Sequence, residues 1–294
     1  MSKQTILITG VTAMQGWPLY LYLKEVYGAK NVWGISPPKG AIYFEDDSQV
    51  LACSMTDHCQ LQSMVREINP TGVVHAAGMC DLDLGEKCPQ MPYERNVLGT
   101  EKLLEVLTDC YVMYVSADLV FSGENCPKDG YSETDSPDPV SVIGKTYLQA
   151  EEVVQNHESY GIVRIGLPMG PSIQGKKGPV DFICKRLRAG KPMTLFYDEL
   201  RSAIHTDDLA RGLAGLFEKK VQGLFHLGGP QPVSLYAMGE QLVSQYSYDE
   251  KNLIRASRFE DKINVPRIGN VHLNSKKAND LLGYKASPWL RVSL

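Results

Sequence analysis

The sequence predicts an α/β protein: a doubly wound parallel sheet over residues 1–165, with a smaller C-terminal lobe over 166–294. Three observations carry this. Short apolar runs alternate with amphipathic stretches of helix length through the first half of the chain, and parallel strands need such crossovers, with helices covering both faces of the sheet. The first apolar run enters a tight, glycine-bounded turn and then a helix. The 294 residues are 43% hydrophobic and 22% charged, enough to bury a large core and too apolar for a disordered chain.

Each element follows in order. Thr5–Thr9 (TILIT) reads as a buried strand, and Pro18–Tyr27 carries leucines and aromatics at helical spacing. Asn31–Ile35 is a strand stopped by Ser36-Pro37-Pro38-Lys39-Gly40. Gln60–Ile68 is a helix that ends at Asn69-Pro70. Gly72–Ala76 (GVVHA) is a strand, Tyr93–Thr108 one helix, and Tyr111–Ser116 a strand. The helix Val142–Gln155 leads into the strand Gly161–Ile165. In the last third, Asp181–Ala189, Thr206–Glu218 and Leu235–Tyr246 are helices and Leu224–Leu227 is a strand. No Ser/Gly linker or internal repeat separates the regions, so the second is read as a lobe packed on the first, returning strands to the main sheet.

The formal net charge of −4 with dispersed Lys and Arg excludes the basic stripe of a nucleic-acid binder. No apolar run approaches 18 residues, so no membrane span is expected. Met1 to Thr5 run directly into the first strand, so no signal peptide is expected. The seven cysteines (53, 59, 80, 88, 110, 126 and 184) form no C-x-x-C pair. They read as thiols of a reducing compartment, which implies a cytoplasmic protein without a structural metal.

The strongest motif is Thr9-Gly10-Val11-Thr12-Ala13-Met14-Gln15-Gly16, a turn from strand to helix. A helix N-terminus presents unpaired N–H groups and the positive end of the dipole, which suit a pyrophosphate. Further along stand His75-Ala76-Ala77-Gly78, Asn96-Val97-Leu98-Gly99-Thr100, Tyr114-Val115-Ser116-Ala117-Asp118-Leu119-Val120-Phe121-Ser122-Gly123, Tyr131-Ser132-Glu133-Thr134-Asp135-Ser136-Pro137 and Arg201-Ser202-Ala203-Ile204-His205-Thr206-Asp207-Asp208. In this order the motifs resemble the extended short-chain dehydrogenase/reductase superfamily, in its dTDP-4-dehydrorhamnose reductase branch. The regulatory β subunit of methionine adenosyltransferase is similar to the same branch.

The resemblance implies a Rossmann domain that binds NADP or NAD through Gly10, Thr12, Ala13, Met14, Gln15, Gly16, Ser36, Lys39, Ser54, Met55, Ala76, Ala77, Gly78, Asn96 and Ser116. It also implies a nucleotide-sugar-like ligand held by Met79, Tyr131, Lys176, Arg201, His205 and Arg267. Arginine forks at 201 and 267 suit a diphosphate. Ser36 and Lys39 replace the acidic residue that holds the adenosine ribose, which tilts the expectation toward NADP. Ala13 stands where the turn usually has its second glycine.

The family's reaction needs a Tyr as proton donor, a Lys four residues later on the same helix face, and a Thr at the carbonyl oxygen. The corresponding positions are Ile143, Tyr147 and Ala117, so all three roles are vacant. Tyr147 and Asp118 remain as candidate catalytic groups. Three readings stay open, the first two being an atypical reaction and a non-catalytic binding or regulatory subunit of another enzyme. An ordinary NADPH-dependent reductase or epimerase of 4-keto-6-deoxy nucleotide sugars is the third. A homodimer through the helices near 93–108 and 142–155 is implied by analogy only.

Overall fold

The computed structural model describes residues 4–175, 178–260 and 265–290. Seven strands form the central sheet: β1 (Ile6–Thr9), β2 (Val32–Ser36), β3 (Val50–Ala52), β4 (Gly72–His75), β5 (Tyr111–Ala117), β6 (Tyr160–Ile165) and β7 (Gly223–Leu227). Their order is β7-β6-β5-β4-β1-β2-β3 and every pairing is parallel. The direction of winding reverses between β1 and β4, so the crevice outside their carboxyl ends lies at a topological switch point.

The alternation of β1 explains both faces. Ile6 and Ile8 point into one core with Leu19 and Leu23 of α1 (Gly16–Tyr27) and Leu213 and Phe217 of α7 (Thr206–Glu218). Leu7 points into the other, with Leu61 and Val65 of α2 (His58–Ile68) and Leu103 of α4 (Gly99–Val106). A strand covered on both faces reads as a continuous apolar run, as TILIT does. The helix α5 (Val142–Gln155) adds a third cluster through Ile143, Tyr147 and Val154. Its start is fixed by Ser141, whose hydroxyl accepts from Gly144 N at 3.0 Å.

The smaller lobe contains α6 (Pro179–Arg188), α8 (Leu235–Tyr246) and a short parallel pair, Met193–Phe196 with Leu253–Ala256. They enclose Met169, Ile183, Leu187, Leu195, Met238, Leu242 and Trp289. Residues 206–227 leave this lobe: α7 packs on the first layer and β7 completes the main sheet. A last helix, α9, spans Lys276–Leu282.

Two of the differences from expectation lie within residues 82–106. The helix expected over Tyr93–Thr108 runs without a gap from Gln90 to Val106, with a π-helical turn at Tyr93–Leu98 before α4. The wider turn coincides with Asn96, whose side chain is bound on both sides as described below; π-helical turns inside helices concentrate at such constrained positions. The six-residue α3 (Leu82–Lys87), capped by Asp81 accepting from Leu84 N at 2.9 Å, was not expected. It is too short to show helical periodicity. Among the described residues no helix is long and apolar enough to cross a membrane.

Candidate functional site

The turn after β1 is built from close backbone approach. Gly10 has φ +72°, and a Cβ there would lie 2.6 Å from the Ala77 backbone. Only glycine takes both demands without strain. A Cβ at Gly16 would run into the Gly10 carbonyl. Gly10 N and Val11 N donate to Ile35 O at 2.9 and 3.3 Å, and Ala13 N donates to Gly10 O at 2.8 Å. The Ala13 methyl is accommodated in this turn. The Thr12 methyl lies against Gly40 and the Met14 sulfur against Gly178, so both flanks of the turn touch neighbouring segments. Gln15 donates from Nε2 to Ala76 O at 3.0 Å.

A hydrogen-bonded chain crosses the sheet behind this turn. Ala77 N donates to Thr9 Oγ1 at 3.2 Å, and Thr9 Oγ1 lies 2.6 Å from His75 Nδ1. His75 Nε2 lies 2.9 Å from Thr100 Oγ1, which donates to Asn96 O. Since each hydroxyl has one proton, the chain is satisfied when Nδ1 accepts and Nε2 donates, the neutral form of the ring. Burial lowers the His75 pKa to about 4, consistent with that form. Asn96 continues the chain: its Oδ1 accepts from Met79 N at 2.7 Å, and its Nδ2 donates to Met79 O at 3.1 Å and Thr146 Oγ1 at 2.9 Å. The loop after β4 is thus clamped between the π-helical turn and α5.

The remaining residues expected near a dinucleotide are spread along the strand ends. Ser36 is fully buried, with its hydroxyl unpartnered, while Lys39 and Ser54 are exposed. Met55 packs beneath Gly99. Ala76 is buried, Ala77 half-buried and Gly78 exposed. Ser116 donates to Glu151 Oε1 at 2.5 Å, and Glu151 also holds Arg164 through bonds of 2.9 and 2.7 Å. The Ser116 hydroxyl is therefore part of a buried ion-pair network. Sequence reasoning assigned Glu151 no role and missed this network, which rests on residues from three separate elements.

The chemical end of the site is apolar. Ile143 is 0% exposed and sits beneath α3, where a Cβ at Gly85 would lie 2.8 Å from Ile143 Cγ1. Tyr147 is 5% exposed, and its hydroxyl lies against Gly78. Burial first, then the nearby Cys80 thiol and Asp118, push its phenol well above the ordinary value. It is a neutral group at working pH. Asp118 is 0% exposed and is gripped by both Nε (2.8 Å) and Nη2 of Arg201. Sequence reasoning gave Asp118 and Arg201 separate tasks, one in catalysis and one on a diphosphate; the fold joins them in a single buried pair. Glu199 stands 4.0 Å from Arg201 Nη1, and burial raises its pKa.

Among the expected substrate contacts, Met79 and Tyr131 are buried, Tyr131 stacking on Phe121 at 4.1 Å. His205 precedes α7 and accepts from Asp207 N at 3.2 Å. Arg267 lies over the Phe196 ring at 5.0 Å, with Asp83 at 3.9 Å. Lys176 lies outside the described residues. No group of acidic, His and Cys side chains suited to a metal occurs among the described residues.

A dinucleotide laid across the strand ends meets two different halves. On the side of β1 and β2 the turn, the N-terminus of α1 and the unpartnered Ser36 hydroxyl fit an adenosine diphosphate. On the side of β4 and β5 the polar groups Asp118 and Arg201 are already paired.

The sequence pattern of the RmlD substrate binding domain family matches residues 4–292. The Xenopus laevis protein named methionine adenosyltransferase 2 subunit beta is 25% identical over 280 residues, covering 92% of this chain and 80% of the relative. The dTDP-4-dehydrorhamnose reductase of Aggregatibacter actinomycetemcomitans is 25% identical over 255 residues, covering 81% and 84%. The crystal structure of the Bacillus anthracis dTDP-4-dehydrorhamnose reductase in complex with NADP superposes with a TM-score of 0.81 at 20% identity, covering 98% of this chain and 95% of that one. At that identity the likeness speaks for the fold.

Proposed function

The chain belongs to the RmlD substrate binding domain family, within the reductase-like branch of the extended short-chain dehydrogenase/reductases, and on that premise we propose that it is a non-catalytic binding or regulatory subunit. In this reading it holds a nicotinamide dinucleotide in its turn, and a nucleotide-sugar-like ligand in the cleft under the smaller lobe. A bound nicotinamide would supply hydride in the usual chemistry of such folds. The residues of this chain provide no matching proton donor.

One observation carries the proposal: Ile143, where the proton donor of the family stands, is buried beneath α3 among apolar side chains. A hydrocarbon there can neither donate a proton nor hydrogen-bond a carbonyl oxygen. Tyr147, at the position of the lysine, brings no positive charge to lower a neighbour's pKa. Support for a subunit role comes from the relatives named as subunits, which match 92% of the chain or more. NADP is the favoured dinucleotide because Ser36 and Lys39, not a carboxylate, flank the end of β2. A cytoplasmic location and a homodimer are part of the same reading.

The reading is tested by NADH and NADPH oxidation against a panel of 4-keto-6-deoxy nucleotide sugars, together with purification of the tagged chain from its native cells. Flat oxidation traces and a co-purifying enzyme are expected. Steady turnover abolished by Tyr147→Phe would replace this reading with an atypical reaction at Tyr147 and Asp118.

A further inference from the structure

The smaller lobe carries a local excess of positive charge away from the cleft. From Phe182 to Tyr197 the chain holds Lys185, Arg186, Arg188 and Lys191 and no acidic residue, in a protein whose formal net charge is −4. Surfaces ordinarily intersperse the two signs. Among the described residues none of the four cations has a carboxylate at ion-pair distance. Asp181, the acid of α6, is turned to the Ser172 hydroxyl and to Gly178 N at 3.0 Å.

The fold holds three of these groups in place. Arg186 donates from Nε and Nη2 to Pro192 O at 3.1 and 2.7 Å, and lies over the Phe182 ring at 5.9 Å. Arg188 donates from Nη2 to Tyr248 Oη at 3.4 Å. Gly190, at φ +62°, closes α6: Gly190 N donates to Leu187 O and Lys191 N to Arg186 O, both at 3.0 Å, which fixes Lys191 beside the helix end. Two rings stand in the open beside them. Phe182 is 56% exposed, and Tyr246 is 48% exposed with its ring 5.7 Å from that of Tyr248. The helix dipole accounts for cations in a last turn, but not for aromatic rings left in water. Arginine with Tyr and Phe is the composition enriched where proteins bind one another.

Resting on the subunit reading above, we propose that the C-terminal end of α6 is the docking surface for a short acidic segment of the partner enzyme, one that carries apolar side chains for the Phe182 and Tyr246 rings. Charge complementarity chooses the occupant. Guanidinium groups without a carboxylate attract one, and arginine clusters read acidic motifs in this way. A nucleic acid spreads its charge over many regularly spaced phosphates and asks for a longer basic track than one helix end. The surface is open to water, so the attraction steers and orients the partner and weakens with salt.

Fluorescence anisotropy with the purified full chain tests this. The probes are a labelled short peptide of glutamate and phenylalanine, its counterpart with lysine for glutamate, a single-stranded oligonucleotide, and phosphatidylserine vesicles. The acidic peptide is expected to bind, about tenfold more weakly at 300 mM than at 50 mM salt, and about tenfold more weakly to Lys185→Glu/Arg188→Glu. Phe182→Ser should weaken it by about threefold or more. Reversing Lys30, before β2, and Lys219, after α7, should leave it within about twofold. All the substituted side chains are exposed, and an unchanged melting temperature checks that the fold survives. No binding of the acidic peptide, equal binding of the lysine peptide, equal binding by the Lys185→Glu/Arg188→Glu variant, or tighter binding of the oligonucleotide or vesicles overturns the inference. Co-purification from native cells keeps the two readings apart. An enzyme recovered equally with the parent and the reversed variant overturns the inference and leaves the subunit reading standing. Recovery with neither overturns the subunit reading, and the inference with it.

Discussion

Acid should loosen this fold through His75. The ring is fully buried, and its two nitrogens lie 2.6 Å from Thr9 Oγ1 and 2.9 Å from Thr100 Oγ1. Its pKa falls from an ordinary 6.5 to about 4 because burial disfavours the charged ring. A lowered histidine pKa means the unfolded chain takes up the proton first. The stabilisation is therefore complete above pH 6.5 and is lost progressively as pH falls toward 4. Over that window the gap is worth about 3 kcal/mol, at a slope of about 1.2 kcal/mol per pH unit near pH 5.5. His226 is buried in the same sense, with a pKa of about 4, so the parent chain should show roughly twice that slope. Gln at position 75 can accept from Thr9 and donate to Thr100 while never titrating. Urea unfolding at pH 7, 6, 5.5 and 5 for parent and His75→Gln is the measurement. The variant should lose about half the pH slope; equal slopes would show that His75 does not couple folding to protons.

Three other outcomes are expected. Asp118→Ala leaves the Arg201 guanidinium buried without its bidentate partner, and should cost about 3–5 kcal/mol in urea unfolding; a loss below about 1 kcal/mol would mean that Arg201 finds solvent or closes on Glu199. Gly85→Ala places a methyl 2.8 Å from Ile143 Cγ1 and should destabilise by about 1–3 kcal/mol, with Ile143→Val in the same chain restoring part of it. Strictly additive effects in that double variant would refute the packing of α3 on Ile143. At one hundred times its dissociation constant, a dinucleotide should stabilise the chain by about 2.7 kcal/mol in thermal unfolding, and an unchanged melting temperature at millimolar NADP+ and NAD+ would leave the turn as architecture alone.

The parts of the fold legible in the sequence are those with local causes. TILIT, GVVHA and the run from Tyr111 are apolar on both faces because parallel strands at the sheet centre are covered on both faces. The turn at Gly10 was legible because a positive φ and a close backbone approach leave glycine as the fitting residue. The apolar side chain at position 143 was also readable, since it is a matter of which residue stands there. Short elements were not: α3 has six residues, and the π-helical turn coincides with Asn96, which binds Met79 seventeen residues away.

The sequence by itself determined the doubly wound class, the glycine turn after the first strand and an apolar side chain at position 143, because each rests on residue type or on spacing within one segment. The tertiary structure alone decided what became of the groups left behind. Asp118 and Arg201, 83 positions apart, close into a buried pair, and Ser116, Glu151 and Arg164 close into another network. Electrostatic compensation depends on distance in space, and only the folded chain sets that distance. That pairing turns the acid of one motif and the base of another into a buried ion pair.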